Sequence, residues 1–198
     1  MNPLRRMFVS SGTKAQILFE SIFSDFEKIE YSQPTNYIET FWTKFKEEYP
    51  KLDGNLNGKV FETLLGTLLY REGIIPFYMQ AKVAFVPNVE YDFLMFTDKR
   101  HPITLSAKTS LRERYKQADL EASVIKNVFR NAKCYLLTFD LDESNRVNKK
   151  AIDGDLVGLD ECIYVLDDRL NELIKELASN AYIQPGKVDL VNPSLTIR

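Results

Sequence analysis

One histidine, two cysteines and one tryptophan in 198 residues leave little of the side-chain chemistry on which many sites depend. The histidine, His101, falls in the turn-like DKRHP, while Cys134 and Cys162 sit in separate apolar runs with no CxxC spacing. Structural zinc and a histidine-activated nucleophile are therefore excluded. Long apolar runs are missing too. None nears the roughly 20 residues that cross a bilayer, and the opening MNPLRRMFVSSG lacks the apolar centre of a secretory signal. A cytoplasmic protein without membrane contact is expected. Nor is there an excess of charge, with 26 Lys and Arg against 28 Asp and Glu and a net charge of −2. An indiscriminate polyanion binder would be strongly basic, so an anionic partner must be met by a local cluster of positive charge.

What is present suits a globular chain with a full core: 44% of residues are hydrophobic and 27% charged. The length suits one domain, expected to span 1–198, with a helical part over 1–55 and an α/β core over 56–198. Residues 12–50 read as helical, in the run AQILFESIFSDFEKIEY and then the run NYIETFWTKFKEEYP, whose Tyr37, Phe41, Phe45 and Tyr49 recur every four residues on one face. KLDGNLNGK reads as a linker, and a helix from about Lys59 to Arg71 should stop at Glu72-Gly73. The runs IIPFYM, KVAFVP, YDFLMFT and ITLSAK, divided by Pro, Asn and Asp, read as strands. A long helix is expected after Ser110, then the strand KCYLLTFD, a polar loop to about Asp155, the strand CIYVLD and a helix over DDRLNELIKELASNA. The expected architecture is α/β, a central mixed sheet flanked by helices and preceded by a helical subdomain.

In ITLSAK the side chains alternate, so Ser106 and Lys108 share a face, and Asp92, which opens the apolar run YDFLMF, can meet them from a neighbouring strand. Glu62 falls in the helical run GKVFETLLGTLLYREG, and Glu121 in the helix that follows SAKTSLRER. Taken singly, Asp92 is a strand-end turn residue and Lys108 an exposed strand lysine. Together they supply what phosphodiester hydrolysis needs. Carboxylates offer hard oxygen ligands to a Mg²⁺ that polarises the phosphoryl oxygen and activates water, and the lysine offers a cation beside the phosphate.

This order of residues resembles the PD-(D/E)XK nuclease superfamily, in a variant whose acid two residues before the lysine has moved. Ser106 occupies that position, and Tyr91 stands where the proline of the PD dipeptide would be. Asp92 is preferred to Glu90 or Asp98 because it immediately precedes the apolar strand. Glu121, thirteen residues after Lys108, matches where type II restriction endonucleases of the EcoRII, SsoII and PspGI group, with their NgoMIV relatives, carry the missing carboxylate. A helical projection agrees, since Leu111, Tyr115, Ala118, Ala122, Ile125 and Phe129 form an apolar stripe that leaves Arg114, Gln117 and Glu121 along its flank. In the superfamily an early helical acid commonly points to the metal site, and Glu62 lies at that position.

Arg112-Glu113-Arg114 resembles the element with which the same group reads C·G pairs. Arginine forks onto guanine O6 and N7, and glutamate accepts from the cytosine amine. A capping box over Ser110-Leu111-Arg112-Glu113 competes for Glu113, although arginines beside a positively polarised helix start are poorly placed unless they face an anion or a base. Trp42 is a core aromatic or, as in some members of the group, the ring that stacks on an extruded base. The resemblance implies a Mg²⁺-dependent type II restriction endonuclease of a prokaryotic cytoplasm. It would act as a homodimer on double-stranded DNA at a palindromic CCGG, CCNGG or CCWGG type of site, with a cognate DNA methyltransferase as a genetic partner that it does not touch. The rival readings are a structure-selective repair or recombination nuclease of the same superfamily and a non-cleaving DNA-binding module on its fold.

Overall fold

Among the described residues, two of the three helices that precede the sheet begin at a residue whose side chain caps their free amides, and the third begins at a proline. The computed structural model describes residues 12–84, 86 and 89–185. Helix α1 (Lys14–Ile22) starts at a reciprocal capping box between Thr13 and Gln16. Helix α2 (Pro34–Glu48) has proline in its first turn and buries Tyr37, Ile38, Phe41 and Phe45. These are the two helical runs expected within 12–50, except that the first ends at Ile22 and gives way to a 3₁₀ turn over Phe26–Lys28. Helix α3 (Gly54–Arg71) starts earlier than expected because Asp53 accepts from Leu56 N at 2.9 Å. KLDGNLNGK is therefore a cap and first turns instead of a linker. The stop at Glu72-Gly73 is as expected, with Gly73 at φ 70°.

Five strands form one mixed sheet in the order β1-β2-β3-β4-β5: β1 (Tyr78–Ala81), β2 (Tyr91–Phe96), β3 (Pro102–Lys108), β4 (Lys133–Thr138) and β5 (Glu161–Tyr164). The first three pair antiparallel and the last three parallel. Parallel neighbours need crossovers, here α4 (Arg114–Val128) between β3 and β4 and α5 (Leu141–Ile152) between β4 and β5. The polar loop expected after β4 is thus a helix, begun by Asp140, which accepts from Glu143 N at 3.1 Å. Helix α6 (Asp168–Ala178) follows β5. Of the expected strand KVAFVP, Lys82, Val83, Ala84 and Val86 lie outside any strand, and Phe85 and Pro87 fall outside the described residues.

The strand pleat divides the interior. Phe93, Met95, Leu105 and Ala107 pack with the apolar faces of α1, α2, α3 and α6, while Leu94, Phe96, Leu136 and Cys162 pack with Tyr115, Ala118, Ala122 and Ile125 of α4 and Val147 of α5. Each buried aromatic or aliphatic side chain is worth about 1.5–3 kcal/mol, so the sheet is fixed from both sides. Thr104, Ser106 and Lys108 alternate with Leu105 and Ala107 and so face α4.

Candidate active site

Asp92 enters β2 one step beyond the Phe93–Leu105 pair, which brings it beside Ser106 on β3. Its Oδ2 accepts from Ala107 N at 2.8 Å, Lys108 Nζ at 2.7 Å and Ser106 Oγ at 3.2 Å. The ion pair is largely shielded, with 17% of the Lys108 side chain and 12% of that of Asp92 exposed. Charge-assisted bonds in such surroundings hold both groups in one orientation. The other acids considered for this position are elsewhere. Asp98 is exposed in the turn beyond the far end of β2, and Glu90 is exposed and pairs with Lys82 at 3.6 Å.

Glu121 approaches from α4. Burial raises its pKa above the usual carboxylate value, while Gln117 and Lys108 oppose the rise and the Asp92 charge adds to it. Gln117 Nε2 donates to Glu121 Oε1 at 2.7 Å. Asp92, Ser106 and Glu121 line one small cavity between β2, β3 and α4. Glu62 reaches the same group from α3. Burial lifts its carboxyl to about 7, with the Asp92 charge the second cause and Lys108 opposing. The side chains that the sequence placed in one constellation therefore converge at the Asp92–Lys108 pair.

Two members of this site escaped the sequence. Gln80, at φ 50° in β1, donates from Nε2 to Glu62 Oε2 at 2.8 Å. Its left-handed backbone gives no local sequence signal, because that region suits glycine far better. Tyr91 was visible only as a missing proline, yet its hydroxyl donates to the backbone carbonyl of Glu121 at 3.0 Å.

The Arg112-Glu113-Arg114 triplet lies at the start of α4. Arg112, Glu113 and Arg114 are all exposed, as is Gln117. The capping box does not form: Glu113 is itself the N-cap residue, makes no side-chain capping bond, and pairs instead with Lys116. Arg112 adopts φ 42°, a conformation that costs a non-glycine residue about 1–3 kcal/mol and is found where surroundings enforce it. A cleft lined by Arg112, Glu113, Glu143, Arg146 and Lys150 runs from this turn to α5. Trp42 is half-buried and stacks on Phe139 with centroids 4.2 Å apart and planes at 12°, with Lys46 Nζ 4.9 Å from its ring centre.

Among the described residues, no three Asp, Glu, His or Cys side chains gather closely enough to surround one ion. The donor chemistry nevertheless suits a hard divalent cation. Asp92 and Glu121 offer carboxylate oxygens, and Asp92 repels both Glu62 and Glu121, a cost that a cation beside them offsets. Among the described residues, the three hydrogen bonds to Asp92 all fall on Oδ2.

The five-stranded mixed sheet flanked by helices, with helices leading into it, matches the fold of the restriction endonuclease Ecl18kI. A solved structure that the chain resembles is metal-depleted Ecl18kI in complex with uncleaved, modified DNA, with a TM-score of 0.52 and 16% identity over 89% of this chain and 80% of that one. No protein-family model matches the chain, and no curated protein does. Among the described residues no helix is long and apolar enough to cross a membrane.

Proposed function

We propose that this chain is a type II restriction endonuclease that cleaves double-stranded DNA at a short palindromic site containing CC and GG, of the CCGG, CCNGG or CCWGG type. The observation that carries this reading is the convergence of Asp92, Lys108 and Ser106 with Glu121 and Glu62 on this fold. The DNA held by Ecl18kI supports DNA as the polymer. Palindromic DNA calls for a two-fold protein, so the acting form is a homodimer. A cell making such an enzyme must also protect its own sites, which calls for a DNA methyltransferase as a genetic partner without physical contact.

Asp92 and Glu121 would hold Mg²⁺, with Glu62 as the neighbouring acid. When bound, the ion polarises the phosphoryl oxygen and lowers the pKa of water. Lys108, fixed by Asp92, presents its ammonium to the phosphate and stabilises the charge that grows there. Ser106 and the Ala107 amide keep the Asp92 carboxylate in place. Arg112, Glu113 and Arg114 stand on the turn directly after Lys108, so base reading and bond cutting are joined by a few residues. Full-length chain incubated with plasmid should linearise it in Mg²⁺ and leave it intact in EDTA, and the Asp92→Ala chain should bind DNA without cutting. Cutting in EDTA, or undiminished cutting by Asp92→Ala, would remove the basis of the reading.

A further inference from the structure

Helix α4 is gripped on both sides of Glu121 by groups outside the catalytic constellation. Two residues before Glu121, the Asp119 carboxylate points away to the loop ahead of β5, where its Oδ1 accepts from Gly158 N at 2.8 Å and Leu159 N at 2.9 Å. Gly158 lies directly on the helix backbone. A Cβ there would stand 2.2 Å from the Asp119 carbonyl oxygen and 2.5 Å from both Ser123 N and Ser123 Oγ. Only glycine permits this approach, and the atoms it touches bracket Glu121. One turn further on, Lys126 Nζ reaches Asp160 of the same loop at 2.8 Å, and Asp160 Oδ2 also accepts from Cys134 N of β4 at 2.7 Å. Leu159, between these contacts, is buried and lines the cavity that Asp92 and Glu121 share.

We infer that Asp119 and Gly158 are positioning residues, a clamp that fixes α4 against the sheet so that Glu121 stands at its working distance from Asp92. The inference rests on the reading of Glu121 as a metal-holding acid. A carboxylate carried on a helix, unlike one on β3 itself, owes its placement to how the helix is docked, and a misplacement of about 1 Å can cost about a hundredfold in rate. The clamp supplies the docking that the strand would otherwise have given.

The test is Mn²⁺ titrated calorimetrically into the full chain and into three variants, with a thermal melt of each. Gly158→Ala and Asp119→Ala should weaken Mn²⁺ binding by about tenfold or more, while Asp119→Asn, which keeps the accepting oxygen and loses only the charge, should stay within about threefold of wild type. The Asn variant separates position from electrostatics: equal losses in Asp119→Asn and Asp119→Ala would overturn the clamp in favour of a charge effect. Unchanged Mn²⁺ affinity in folded Asp119→Ala would overturn it outright, and this variant decides the matter if Gly158→Ala does not fold. A wild-type chain that binds no Mn²⁺ would instead sink the metal-holding role of Glu121 and the clamp with it, an outcome distinct from either of the others.

Discussion

Tyr91 Oη donates to the backbone carbonyl of Glu121 at 3.0 Å, so the residue beside one candidate metal-holding acid holds the helix that carries the other. The bond is buried on the Tyr91 side and joins β2 to α4. Tyr91→Phe keeps the ring and removes only the hydroxyl, which should lower stability by about 1 kcal/mol. If the bond sets the spacing of Asp92 and Glu121, single-turnover cleavage should fall by about tenfold or more while cognate DNA binding is kept. An unchanged cleavage rate would show that the helix stays in place without it.

Alanine at Asp92, Lys108 or Glu121 should each lower single-turnover cleavage by roughly a hundredfold or more while cognate DNA is still bound. Gel shifts in Ca²⁺ beside cleavage in Mg²⁺ measure both. Near wild-type turnover in Glu121→Ala, together with lost cleavage and intact binding in Glu113→Ala, would contradict the assignment of the acid to α4.

Burial, with Asp92 as the second cause, raises Glu62 from its ordinary 4.5 to about 7. Between those values the native chain keeps a proton that the unfolded chain releases, so stability falls as pH rises through the window, and the contribution is gone above it. Glu121 is shifted in the same direction and adds to the slope. Glu62→Gln should therefore raise the melting temperature more at about pH 8 than at about pH 5 in metal-free buffer. Parallel pH curves for the two proteins would mean that Glu62 does not titrate in this window.

Each bidentate contact between an arginine and guanine discriminates by about 1–3 kcal/mol. Arg112→Ala and Arg114→Ala should therefore weaken cognate binding by about tenfold or more, with random-sequence binding much less affected. Equal losses on cognate and random DNA, read by fluorescence anisotropy across a salt series, would make these residues phosphate contacts.

The sequence announced what is local and periodic. YDFLMF and ITLSAK are strands because their apolar residues face two cores, and the pleat alone puts Ser106 and Lys108 on one side. What depends on distant partners was hidden. Helix α5 looked like a loop because LDESNRVNKKAI buries little besides Ser144 and Val147, and its apolar stripe is too thin to read. The S-x-x-E box was present as a pattern but went unused, since α4 starts at Arg114 and Glu113 takes Lys116 instead. Gln80 and the contact of Gly158 with α4 depend on chain segments that meet only after folding, 18 residues from Glu62 in the first case and 39 from Asp119 in the second.

The most direct test of the central claim is to digest a plasmid of known sequence with the purified full-length chain in Mg²⁺ and to sequence the ends. Discrete fragments whose ends all map to one palindromic CC/GG-containing sequence, blocked by cytosine methylation within CC, are the predicted result. Ends scattered without sequence preference, ends at sites lacking CC and GG, or no cutting under conditions where the chain binds DNA would contradict it.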